Sequence, residues 1–126
     1  INYQNDGKSE YLINGIENRI EQIVANLLDN SISSSDDGSE VIVDVTNGLE
    51  KKVTIKILDE GQGFKEKDTS KIFNRFYSNR PENFGEHSGL GLNIVKNLVE
   101  LHDGKIEASN RLDKQGALIE IQFPSL

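Results

Sequence analysis

Apolar positions along this chain recur with two different periods, and each change of period marks an element. From Arg19 to about Ser33, the residues Ile20, Ile23, Val24, Leu27 and Ser31 share one stripe at 3.6-residue spacing, which predicts a helix. The run Ser33-Ser34-Ser35-Asp36-Asp37-Gly38 ends it, because short polar side chains compete for backbone hydrogen bonds. Val41 to Thr46 is β-branched, and in Lys52 to Leu58 the residues Val53, Ile55 and Ile57 share one face. These predict two strands joined by a two-residue Asn47-Gly48 turn. Ile1 to Tyr3 and Tyr11 to Ile13 read as short extended segments around an Asn5-Asp6-Gly7 turn. Leu90 to Leu101 predicts a second helix, with Ile94, Val95, Leu98 and Leu101 as its apolar face and Asp103-Gly104 as its end. Lys105 to Ser109 and Ala117 to Phe123 predict a strand pair joined by the polar residues 110–116.

Residues 61–89 break both periods. A short helix from about Thr69 to Tyr77 fits there, and the polar, glycine-containing stretch Ser78 to Ser88 has the composition of a functional lid or a disordered segment. Two hairpins and an irregular alternation of strands and helices predict an α+β fold. Its sheet is expected to be mixed or antiparallel with helices on one face, rather than doubly wound and parallel. At 126 residues, the chain has the length of one domain with one core.

Charge narrows the partners. With 21 acidic and 14 basic side chains the formal net charge is −7, which argues against non-specific nucleic-acid binding. A nucleotide remains open, since backbone N–H groups, a metal ion and a few side chains can hold one. There is no cysteine, so disulfides and thiolate metal sites are excluded. No apolar run approaches the roughly 18 residues of a membrane span, and the first residues do not read as a charged-then-apolar leader. The sequence reads as a soluble piece of a longer protein.

Four constellations can carry chemistry, each with a plainer alternative. Asn26 and Asn30 lie one turn apart beside the apolar stripe of the first helix; they are either surface amides or neutral oxygen ligands for Mg²⁺ beside phosphates. Asp59-Glu60-Gly61-Gln62-Gly63 follows the best strand. It is either an acidic turn or a carboxylate for the adenine amine, with glycines that let the backbone lie close to a flat base. Ser88-Gly89-Leu90-Gly91-Leu92 opens the second helix, as a hinge or as exposed N–H groups facing a phosphate. Gly116 is a turn glycine or the last member of such a site. Of the two histidines, His102 reads as capping or packing a helix end, and His87 lies beside the phosphate-binding candidate.

In order and spacing these segments resemble the kinase members of the superfamily that also holds DNA gyrase B, the Hsp90 chaperones and the MutL ATPases. They are most similar to sensor histidine kinases. Arg19-x-x-Gln22-x-x-x-Asn26-Leu27-Leu28-Asp29-Asn30 is similar to the asparagine box, and Asp59-x-Gly61-x-Gly63-Phe64 to the first glycine box. Ile72-Phe73-Asn74-Arg75-Phe76-Tyr77 is similar to the phenylalanine box. Gly89-Leu90-Gly91-Leu92, followed by Ile94-Val95, is similar to the second glycine box. Gly116 and Phe123-Pro124 are similar to the last glycine box and final strand. The resemblance covers residues 1–126, and the Phe-Tyr-Ser-Asn-Arg-Pro wording resembles the alphaproteobacterial envelope and host-interaction sensors.

What the resemblance implies is a two-layer α/β sandwich of the Bergerat type, binding ATP and Mg²⁺, with Asn30 as the metal ligand, Asn26 near the phosphates and Asp59 on adenine. Gly61, Gly63, Phe73, Arg75, Tyr77, Arg80, His87, Ser88, Gly89, Leu90, Gly91, Leu92 and Gly116 complete the nucleotide site, under a lid over about residues 64–88. The γ-phosphoryl group passes to a histidine of an upstream dimerisation domain, and then to a response regulator. The fragment is expected to be a monomer, unable to phosphorylate itself, and the full protein a homodimer in the bacterial inner membrane. Where the family carries Lys or Arg followed by an aromatic ring, this chain has Ser33 and Ser34; where it places Arg after the lid's Phe-Tyr, Ser78 stands, and His87 replaces a glycine. The ATPase relatives carry a glutamate base at the position of Asn26, which argues against hydrolysis. A serine kinase of the anti-sigma type, or an interaction module without nucleotide, are the other readings.

Overall fold

The computed structural model describes residues 1–5, 13, 15–33, 35–47, 52–64, 69–73 and 90–125. Strand β1 (Asn2–Asn5) precedes helix α1 (Glu17–Ser33). Strands β2 (Ile42–Asn47) and β3 (Lys52–Leu58), a 3₁₀ helix (Thr69–Phe73), helix α2 (Leu90–Leu101) and strands β4 (Lys105–Asn110) and β5 (Ala117–Pro124) follow. The strands form one sheet in the order β1-β2-β3-β5-β4, with β1 parallel to β2 and the other pairs antiparallel.

Strand alternation puts Val43, Ile57, Ile119 and Ala108 in register across one face of β2, β3, β5 and β4. Ile23 and Leu27 of α1 and Val95 and Val99 of α2 bury against that row, with Ile121 and Phe123, in one cluster. Each such side chain contributes roughly 1.5–3 kcal/mol on burial. Both helices therefore cover the same face, giving the expected two-layer α+β sandwich with a mixed sheet.

Several local expectations shift. Asn47 is the last residue of β2 and pairs with Val53, so residues 48–52 separate the closing pair where a two-residue Asn47-Gly48 turn was expected. Gly48 to Lys51 lie outside the described residues. Asn5, expected in a turn, pairs with Val45 at the end of β1. Helix α2 has the predicted limits but a rotated face. Val99 and His102 turn inward beside Val95, while Ile94 is 38% and Leu101 64% exposed. The helix predicted over Thr69–Tyr77 is a 3₁₀ turn to Phe73, and Asn74–Tyr77 lie outside the described residues.

The end of α2 fixes the start of α1. Asp103 takes a left-handed conformation (φ 59°), its N–H donating to Glu100 O at 3.0 Å and the Gly104 N–H to Val99 O at 2.9 Å. Just before it, His102 is 9% exposed and packs edge-on against Phe123, 6.4 Å between centroids. The Ile16 N–H donates to Nε2 of His102 at 3.1 Å, so Nε2 is the bare nitrogen. Nδ1 therefore carries the hydrogen and donates to Leu98 O at 2.8 Å. This ring packs and caps, as the sequence predicts, and neither nitrogen is available to a phosphoryl group.

Candidate functional site

Strand β3 ends on the candidate carboxylate. Asp59 continues the ladder to β5, its N–H donating to Ala117 O at 3.0 Å. Its side chain is on the helix-covered side of the sheet, by the same alternation that turns Ile57 inward, and the residue is 3% exposed. Oδ1 accepts from the Gly61 N–H at 2.9 Å and the Ala117 N–H at 3.1 Å. Oδ2 has no recorded partner among the described residues. A buried carboxylate oxygen is costly without a donor, and a ligand N–H can supply one.

The last glycine of the motif set stands against this residue. Gly116 has φ 146°, and a Cβ there would overlap the Asp59 carbonyl. Its role is thus more than turning the chain: it lets β5 close onto the end of β3. Gly63 (φ 77°) plays the equivalent part on the other side, where a Cβ would run into Asn110 Oδ1.

The residues that hold this loop were not singled out by the sequence. Asn110 pairs with both backbone groups of Phe64, accepting from its N–H at 2.6 Å and donating to its carbonyl at 3.1 Å. Arg111 donates from Nη1 to Asp59 O at 3.1 Å and forks onto Asp113 at 3.0 and 2.9 Å. Glu60 accepts from the Glu40 N–H at 2.6 Å and from Lys114 at 3.3 Å. The Arg-x-Asp spacing in a polar hairpin was the available signal, but its target lies 52 residues away. The backbone bond from Glu40, helped by Lys114, holds the Glu60 carboxyl below its usual value, and the Arg111 bond does the same for Asp113. A lowered folded-state value means that these bonds persist from the ordinary carboxylate range upward, and are lost only as pH falls through the lowered values.

The other candidates stand on α1, on α2 and in the 3₁₀ turn. Asn26 and Asn30 are half-buried on α1, flanking the buried Ile23 and Leu27. The Ser33 hydroxyl, where the family carries a basic residue, donates to Asn30 O at 3.1 Å. Gly91 is exposed in the first turn of α2, with nothing within 4 Å of where its Cβ would be, whereas Leu92 packs against the core. The Phe73 ring is also core, beside Ile72, and its carbonyl accepts from Asn93 of α2 at 3.1 Å. Thr69 donates to Ala108 O of β4. Phe64 and Thr69–Phe73, placed in the expected lid, are therefore bonded to β4 and α2, and the Phe73 ring serves packing. Arg75, Tyr77, Arg80, His87, Ser88 and Gly89 lie outside the described residues, as does the side chain of Leu90.

Residues 15–126 match the family of histidine kinase-, DNA gyrase B-, and HSP90-like ATPases. The chain is similar to the sensor protein ChvG of Agrobacterium fabrum, 36% identical over 119 residues, taking in 92% of this chain and 20% of that protein. Among solved structures it is similar to the nucleotide-free catalytic domain of histidine kinase ThkA, with a TM-score of 0.80, 26% identity and coverage of 98% of this chain and 76% of that one. Full-length ShkA in complex with AMPPNP is also similar, with a TM-score of 0.71, 26% identity and coverage of 86% of this chain and 22% of that one. The chain spans about a fifth of the length of the curated relatives it matches. Sequence and fold together place this chain in the histidine kinase-, DNA gyrase B- and HSP90-like ATPase family, as an ATP-binding domain homologous to the catalytic domains of sensor histidine kinases.

Proposed function

We propose that this domain binds ATP with Mg²⁺ and presents the γ-phosphate to a histidine of a separate helical dimerisation domain, within a two-component sensor kinase that hands the phosphoryl group on to a response regulator. The observation that carries this reading is the buried Asp59 carboxylate, whose Oδ2 has no partner among the described residues and suits the exocyclic amine of adenine. The relative ShkA, solved with AMPPNP, supports the same ligand class. Gly91 supports a phosphate near α2. A helical glycine costs about 1 kcal/mol against alanine, and among the described residues no packing atom needs the space above it.

In the proposed reaction an imidazole nitrogen of the acceptor attacks the γ-phosphorus, the bond to the β,γ-bridging oxygen breaks, and ADP leaves. This chain's part is positioning. Asp59 holds the base, Gly61 and Gly63 let the backbone pass beside it, Gly91 with Gly89 presents N–H groups to phosphate, and Gly116 keeps Asp59 in place. Asn30 holds Mg²⁺ with Asn26 nearby, their neutral oxygens suiting a cation whose charge the phosphates balance. A Mg²⁺ held there by Asn30 would supply charge neutralisation at the phosphates. Arg75, Tyr77, Arg80, His87, Ser88 and Leu90 belong to the same proposed site, under a lid within residues 64–88. Asn26 cannot take a proton from water, which favours transfer over hydrolysis.

Titration of ATP with and without Mg²⁺ tests the site. The unsubstituted chain is expected to bind ATP more tightly with the metal, and Asn30→Ala to lose the metal-dependent part, roughly tenfold, while keeping metal-free affinity. Full Mg²⁺ enhancement in Asn30→Ala would move the ligand elsewhere.

A further inference from the structure

We propose that Arg111 is a positioning residue for recognition of the adenine amine, acting through the main chain of Asp59 and kept in that role by Asp113. The inference rests on the reading that Asp59 meets the base. The Arg111 side chain is 4% exposed although it belongs to a hairpin connection, and its buried face is the end of β3. Its Nη1 donates to the Asp59 carbonyl at 3.1 Å, and its own N–H donates to Gly116 O at 2.9 Å. Among the described residues Asp59 is thereby held at its N–H and Oδ1 by Ala117 and Gly61 and at its carbonyl by Arg111, with Oδ2 alone lacking a partner.

What matters chemically is which oxygen the guanidinium avoids. A guanidinium bonded to the Asp59 main chain is also a natural fork for a carboxylate, and a fork onto Asp59 would compete with a ligand for Oδ2. Here the fork is occupied by Asp113, through Nε and Nη2 at 3.0 and 2.9 Å, and only Nη1 reaches Asp59, at the carbonyl. Asp113 thus keeps Arg111 on the main chain and leaves Oδ2 open. The arrangement fixes the direction of Oδ2 and so sets discrimination between purines with and without a 6-amino group.

The test compares affinities for ATP and for purine riboside triphosphate, which lacks that amine, in the unsubstituted chain, Arg111→Ala, Arg111→Lys and Asp113→Ala. The unsubstituted chain is expected to prefer ATP by about tenfold or more. Arg111→Ala should lose most of that preference, and Arg111→Lys should regain part of it. Asp113→Ala, a change at an exposed residue, should reduce the preference at least about threefold by freeing the guanidinium to turn onto the Asp59 carboxylate. A role in stability alone would weaken both ligands equally and leave their ratio intact. An unchanged ratio in folded Arg111→Ala overturns the proposal; should that variant not fold, an unchanged ratio in Asp113→Ala overturns it. If the unsubstituted chain binds ATP without preferring it to the analogue, the reading of Asp59 fails, and this inference with it.

Discussion

Asp59→Asn is expected to weaken ATP binding by roughly five- to 150-fold while leaving the thermal midpoint of the free protein nearly unchanged. The two N–H donors of Gly61 and Ala117 converge on one side-chain oxygen and dictate how an amide would sit. Asparagine keeps its oxygen there, so the fold loses little. Its NH₂ then occupies the place of Oδ2, facing the adenine amine donor to donor. Leaving such a pair unsatisfied costs roughly 1–3 kcal/mol, the source of the range above. Asp59→Ala is the contrasting control: it orphans both N–H groups and should lower the midpoint as well. Calorimetry and thermal melts on the two variants separate recognition from stability. Unaltered ATP affinity in Asp59→Asn would remove this residue from the base site.

Gly116→Ala is expected to be strongly destabilising, more so than the same change at the other described glycines. The position combines φ 146° with a Cβ direction that runs into the Asp59 carbonyl. Backbone strain in this region costs about 1–3 kcal/mol, and main chain cannot move aside as a flexible side chain would. A total near 2–4 kcal/mol corresponds to a fall in midpoint of roughly 6–20 °C for a domain of this size. Because the atom that must yield belongs to Asp59, ATP affinity should fall too, even at temperatures where the variant is folded. A melt within about a degree of the unsubstituted protein, with equal affinity, would show that β5 closes onto β3 less tightly than the geometry demands.

How much of this was legible in the sequence depends on how local each cause is. Strand β3 has the predicted limits because Val53, Ile55 and Ile57 alternate without interruption between polar residues, and the sheet keeps that register. Helix α2 also has its predicted limits, but its phase was misread. Apolar residues circle more than half of it, and contact with α1 and β4 turns Val99 inward and leaves Leu101 outside. At Asn47 local turn chemistry gave way to the ladder, which gains one more pair with Val53. The glycine and aspartate motifs mark the proposed site, since each needs a residue type that sequence displays. What holds the site was hidden. Asn110 reaches Phe64 across 46 residues and Arg111 reaches Asp59 across 52, and nothing in the local pattern of a polar hairpin specifies a partner that far away. Phe73, which the motif places with the nucleotide, also packs in the core.

The central claim is that this chain holds ATP for transfer to a histidine it does not itself provide. Of its two histidines, His102 has both ring nitrogens engaged by Ile16 and Leu98 and is fixed against Phe123, so in-line attack from it would require unpacking the helix end. The direct measurement is incubation with ATP labelled at the γ-phosphate, first of the chain alone and then with a helical dimerisation domain bearing the acceptor histidine. The account predicts bound ATP and no covalent label on the chain alone, with acid-labile label appearing on the added domain. Acid-labile label on the isolated chain, removed by His87→Ala, would contradict it.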